Sequence, residues 1–167
     1  MHAFLIWLES TSFSVWIRES PSLLAFPMIL CFHTIGMGVV AGVNGAIALR
    51  ILGVGSGVPI DEMRRFLPIM WFGFWLNAAS GIALLIAYPT KALTNPVFYL
   101  KLALVAASLM LARSIARRIR REDAPADRAA SGRMKALAAA SLAAWAGAIT
   151  SGRLLAYTYT HLMSDGP

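Results

Sequence analysis

Long runs without a charged side chain dominate the chain. Thirty consecutive residues between Glu19 and Arg50 contain no Lys, Arg, Asp or Glu, and twenty-five more run from Phe66 to Thr90. A third apolar stretch, 92–112, is interrupted only by Lys101, and a fourth, 136–164, only by Arg153 and the titratable His161. An α-helix needs roughly 20 such residues to cross a bilayer. Lipid offers backbone groups no hydrogen-bond partner, so segments of this kind close their hydrogen bonds internally as helices, and the alternation of a barrel strand is absent. The pattern predicts an all-α fold, an integral membrane four-helix bundle across 21–161, with spans at about 22–49, 63–89, 96–120 and 134–161.

Punctuation between the runs agrees with these limits. Asn95 followed by Pro96 offers an N-cap with proline in the first turn, and Asp61 or Ser131 could cap the second and fourth spans. Pro27 either opens the first span or bends it. Gly53, Gly55 and Gly57 make the first connection irregular, and 122–132 is a polar, Ala/Pro-rich linker. Ahead of the spans, Phe4, Trp7 and Leu8, then Phe13, Val15 and Trp16, have the spacing of an amphipathic helix lying in the membrane interface over 1–20. No basic residue precedes the short apolar run Ala3–Leu8, so this segment does not read as a signal peptide. Residues 162–167 form a tail.

Composition narrows the class further. With 58% hydrophobic residues, 14% charged and a single cysteine, Cys31, the chain is neither disordered, nor a disulfide scaffold, nor an ordinary soluble enzyme. The net charge of +7 is distributed unevenly. Eleven basic residues fall in or beside two connections (Arg50, Arg64, Arg65; Arg113, Arg117, Arg118, Arg120, Arg121, Arg128, Arg133, Lys135), against Arg18 and Lys91 on the opposite side. The positive-inside rule places the eleven in the cytoplasm and both termini outside. No aromatic residue interleaves with Arg113–Arg121, so that run reads as a topology signal and lipid-headgroup contact, with no nucleic acid as partner.

Ionisable groups within a span are costly and mark candidate sites. At 1.5 Å per residue, His33 lies roughly 16 Å, Arg153 roughly 12 Å and Lys101 roughly 9 Å from the outer face. His33, Met37, Val40 and Asn44 share one face of the first span, while Gly38, Gly42 and Gly45 lie opposite, at a small-residue spacing that favours a homo-oligomer. Asn77 and Gly81 share a face of the second span. Thr150, Arg153 and Tyr157 share a face of the fourth, with His161 near its end. A pocket lined by His33, Asn77, Lys101, Arg153 and Tyr157 follows, and no carboxylate reaches this depth. Two cations without an anion call for one from a ligand, unless their long stems snorkel to the interface. Heme b is the sharpest use of His33, with His161 as the second axial ligand, or Met163 in its place. Lys101 and Arg153 would then balance the propionates. A quinone is the alternative cofactor, and a non-redox anchor, assembly, small-anion or lipid-binding role is the alternative function. Paired carboxylates, a nucleophile elbow, Cys/His zinc spacing and a phosphate loop are all missing, and Gly53–Gly57 reads as a turn between helices.

Several short motifs occur together: Trp16-Ile17-Arg18-Glu19-Ser20 before a proline, His33-x-Ile35-Gly36, Arg50-x-Leu52-Gly53, Asn95-Pro96-x-Phe98-x-x-Lys101, and Trp145-x-Gly147 leading to Gly152-Arg153. In their order and spacing the chain resembles, over nearly its full length, an uncharacterised family of small four-span bacterial membrane proteins. That resemblance implies the four-span fold and the bacterial inner membrane, where the outward termini of the positive-inside reading would be periplasmic, and supplies no activity. The family's first connection often reads Asp-x-Arg-x-Leu-Gly, whereas Ala48 stands here at the acidic position. The buried charges, and not the likeness, point to an electron-transfer subunit of a respiratory-type membrane complex.

Overall fold

The computed structural model describes residues 2–55, 57–121 and 131–164, with the side chains of His2, Asp61, Arg120, Arg121 and 156–164 outside that description. The described chain is helical throughout: α1 (His2–Glu9), α2 (Ser12–Glu19), α3 (Phe26–Leu52), a 3-10 helix (Ile60–Phe66), α4 (Leu67–Ala87), α5 (Pro89–Leu93), α6 (Pro96–Arg121) and α7 (Gly132–Ser164). Local chemistry sets several of the boundaries. Pro27 sits in the first turn of α3, where its missing N–H is not needed, so the helix begins there and does not bend. Gly53, at φ 105°, ends α3 in the left-handed conformation that residues with a Cβ avoid. Asn95 Oδ1 accepts from Val97 N–H at 2.9 Å ahead of α6, and Ser131 Oγ from Met134 N–H at 3.3 Å ahead of α7.

The four long helices pack as two antiparallel hairpins, α3 with α4 and α6 with α7, joined along α3 and α7. Their buried apolar core gathers toward the end that carries the arginine-rich connections, around Ile47, Ile51, Met70, Ile115, Ile119 and Met134. We refer to this as the basic end. The 3-10 helix is tied there to α6 by Arg64, whose Nη2 donates to the Ile119 carbonyl at 3.0 Å. Among the described residues three helices, Phe26–Leu52, Glu62–Ala87 and Pro96–Ile119, are long and apolar enough to cross a membrane. Phe72 and Trp75 on α4 are about two-thirds exposed (68% and 67%), the surface of a helix that faces something other than water.

At the opposite end the N-terminal segment differs from the single interfacial helix expected over 1–20. It breaks into α1 and α2 at Ser10-Thr11, because Thr11 turns to cap α2, its Oγ1 accepting from Ser14 N–H at 3.4 Å. The two short helices fold over the end of α4. Arg18 donates to the Ala87 carbonyl at 3.1 Å and to the Glu9 carbonyl at 2.9 Å, while the Glu9 carboxylate accepts from Thr90 N–H. This is the capped end. Stacked pairs, Phe4 on Trp7 and Phe13 on Trp16, stay exposed on its outside.

Candidate ligand site

Three glycines let α3 and α4 come close near the capped end. A Cβ on Gly36 would lie 2.6 Å from the Asn77 backbone nitrogen, one on Gly73 would lie 2.7 Å from Val39 Cγ1, and one on Gly81 would lie 3.0 Å from His33 Cε1. The approach brings His33 and Asn77 into a reciprocal pair. Asn77 Nδ2 donates to the His33 carbonyl at 2.7 Å, and His33 Nδ1 lies 3.0 Å from the Asn77 carbonyl and 3.3 Å from Ser80 Oγ. Ser80 Oγ itself donates to the Leu76 carbonyl at 2.7 Å.

These distances assign the histidine tautomer. A carbonyl oxygen can only accept, so the nitrogen 3.0 Å from it carries the hydrogen. The longer approach of Asn77 Nδ2 to Nδ1, 3.3 Å, is then a contact without a bond. The lone pair resides on Nε2, which has no hydrogen-bond partner among the described residues.

Lys101 enters from α6. Its stem passes the bare backbone of Gly152 on α7, where a Cβ would meet Lys101 Cε at 3.6 Å and Nζ at 3.8 Å. The ammonium lies within electrostatic reach of the His33 ring, and no carboxylate or other partner pairs with it among the described residues. Counted from the first residue of each helix, His33 is roughly 10 Å and Lys101 roughly 8 Å deep, closer in depth than the sequence implied because α3 starts at Phe26.

The structure therefore gathers His33, Asn77 and Lys101, with Ser80 and Gly81, and leaves Arg153 out. Arg153 is exposed, on a strip of α7 with Ile149, Thr150 and Leu154, while Ala148 and Ser151 take the buried positions. The face shared by Thr150 and Arg153 points away from the other helices, so the guanidinium does not line the expected pocket. Tyr157 and His161 belong to the last turns of α7, and their side chains, like that of Met163, lie outside the described residues. No group of three His, Cys, Asp or Glu side chains gathers among the described residues. Sequence reasoning missed Ser80 as a partner of His33. The signal was present, since Ser80 follows Asn77 by three residues and shares its helix face.

A second polar pair lies toward the basic end. Ser141 Oγ on α7 donates to Asn44 Oδ1 on α3 at 3.1 Å, with both residues buried. No family model, no curated protein and no solved structure matches the chain.

Proposed function

We propose that the chain is an integral membrane four-helix bundle, α3, α4, α6 and α7 being its spans, and that it works as an electron-transfer subunit holding a b-type heme or a quinone at His33. In this reading it sits in a bacterial inner membrane, as a homo-oligomer or within a respiratory-type complex. The basic end is cytoplasmic, and both termini are periplasmic. The single observation that carries the ligand site is the His33–Asn77 pair. It fixes Nδ1 as a donor to a backbone carbonyl, which is how ligating imidazoles are held, and leaves Nε2 as an uncommitted acceptor.

The residues present fit either group. A heme would be held by His33 and, from α7, by His161, with Lys101 facing its carboxylates. The group would supply reversible one-electron exchange. For a quinone, Nε2 would accept from the hydroxyl of the reduced form, and the Lys101 ammonium would donate to the second oxygen function. Both ligands are apolar enough to arrive from the lipid.

The test is the protein purified in mild detergent without added cofactor. A b-type absorption band, or quinone co-extracting near stoichiometry, is the expected result, lost in His33→Ala and retained in Arg153→Ala. Absence of both would overturn the reading. The unpaired Lys101 ammonium favours a second, non-redox reading, in which the site holds a small anion or an anionic lipid headgroup and the chain serves as an anchor. Lipid co-purification that depends on Lys101 and not on His33 would select it.

A further inference from the structure

We propose that the junction of α3, α4, α6 and α7 holds one internal water molecule, bound by the Asn44 side-chain amide. Asn44 is 2% exposed. Its oxygen accepts the hydrogen of Ser141. Among the described residues Ser141 is unlike the other serines of the four long helices in this respect. Ser80, Ser108 and Ser151 return their hydrogens to carbonyls of their own helix, whereas Ser141 sends its hydrogen across to α3. The Nδ2 end of Asn44 is left enclosed with two hydrogens and no acceptor.

Asn44 also lines a cavity of about 10 Å³, bounded by Leu67 and Met70 of α4 and by Ala112 and Ile115 of α6. That is about the room one water needs. The donor asks for an acceptor, and the space admits a single small molecule. A neutral amide does not offset the desolvation of an anion in apolar surroundings. Water provides an oxygen that accepts from Nδ2. The site is independent of His33. It would link α3, already held to α7 through Ser141, with α4 and α6, which approach each other here but do not pack as a pair.

The sequence makes the experiment simple, because Asn44, Asn77 and Asn95 are its only asparagines and it contains no glutamine. In lipid nanodiscs, the Asn44 side-chain amide is expected to show direct magnetisation transfer from a long-lived water, while Asn77, whose amide is bonded to His33, shows none. Asn44→Leu removes both the signal and the donor. Ser141→Ala, which leaves Nδ2 in place, keeps the transfer, and this variant and the native protein suffice if Asn44→Leu does not fold. Xenon distinguishes the alternative: a dry apolar cavity takes up xenon, with shifts at the Met70 and Ile115 methyls. No transfer at Asn44 in the native protein, with or without xenon uptake, overturns the proposal.

Discussion

Which ring nitrogen of His33 carries the hydrogen decides what the residue can do, and a backbone atom makes that choice. The acceptor at 3.0 Å is the Asn77 carbonyl, which no substitution at position 77 removes. Histidine labelled with ¹⁵N in nanodiscs is therefore expected to show a protonated Nδ1 and an unprotonated Nε2 in the native protein and in Asn77→Ala. The opposite tautomer in the native protein would dissolve the site. Asn77→Ala loses the bond to the His33 carbonyl, an interhelical hydrogen bond of about 0.6 to 1.7 kcal/mol, and should broaden the ring signals without exchanging them. The glycines permit a sharper comparison. A methyl on Gly36 meets two backbone atoms of α4, the Asn77 nitrogen at 2.6 Å and the Gly73 oxygen at 2.8 Å, and neither can move aside without separating the helices. Gly36→Ala should cost about 1–3 kcal/mol, the usual range for overpacking, and disturb the His33 signals. On the same helix Gly38 has nothing within 4 Å of a would-be Cβ, so Gly38→Ala should leave the unfolding midpoint in detergent nearly unchanged.

Among the elements, α2 has a structural task that charge counting alone does not reveal. By topology Arg18 is simply one of two basic residues on the lightly charged side. In the folded chain its guanidinium, with Ser14, reaches the Ala87 carbonyl, where α4 runs out of its own N–H donors. A cation at a helix C-terminus adds about 0.3–1 kcal/mol, and more when partly buried. Arg18→Ala should therefore lower the midpoint of thermal unfolding and release hydrogen exchange in α1 and α2 before α4. Arg18→Lys should recover less than half of the loss, since one ammonium cannot span both the Ala87 and Glu9 carbonyls. The ranges of the long helices were legible because the expense of burying charge and backbone writes them into the composition, and Asn95 and Ser131 announced two helix starts by residue type. The division at Thr11 was not legible, since apolar residues flank it on both sides and continue the spacing of a single helix. Arg153 was misplaced for a related reason. A sequence shows that Thr150 and Arg153 share a face, but whether that face turns toward α3 or away depends on the packing of α7 against its neighbours.

Across the whole molecule, the apolar core and the His33 cluster lie toward opposite ends, with one buried polar pair, Asn44 and Ser141, on the core side. The apolar core concentrates toward the arginine-rich connections, whereas His33, Asn77, Ser80 and Lys101 meet toward the end that α1 and α2 cover. The bundle therefore has a direction, and the proposed ligand site lies on the side away from the eleven basic residues. Arg50 and Arg64 bear on this direction, because each also serves the fold: Arg50 Nε donates to the Val58 carbonyl and Arg64 to Ile119. Most of the positive charge behind the proposed orientation flanks the connection between α6 and α7. Single cysteines in a Cys31→Ser background measure that orientation. Cysteine at Ser10 should react with a membrane-impermeant maleimide in intact cells, and cysteine at Gly132 only after the membrane is opened. Replacing Arg113, Arg117 and Arg118 with glutamine should weaken this asymmetry and yield a mixed population, since the bias falls with each positive charge removed near a span. If Gly132 is labelled from outside in the native background, the site faces the cytoplasm, and any redox partner must be sought there.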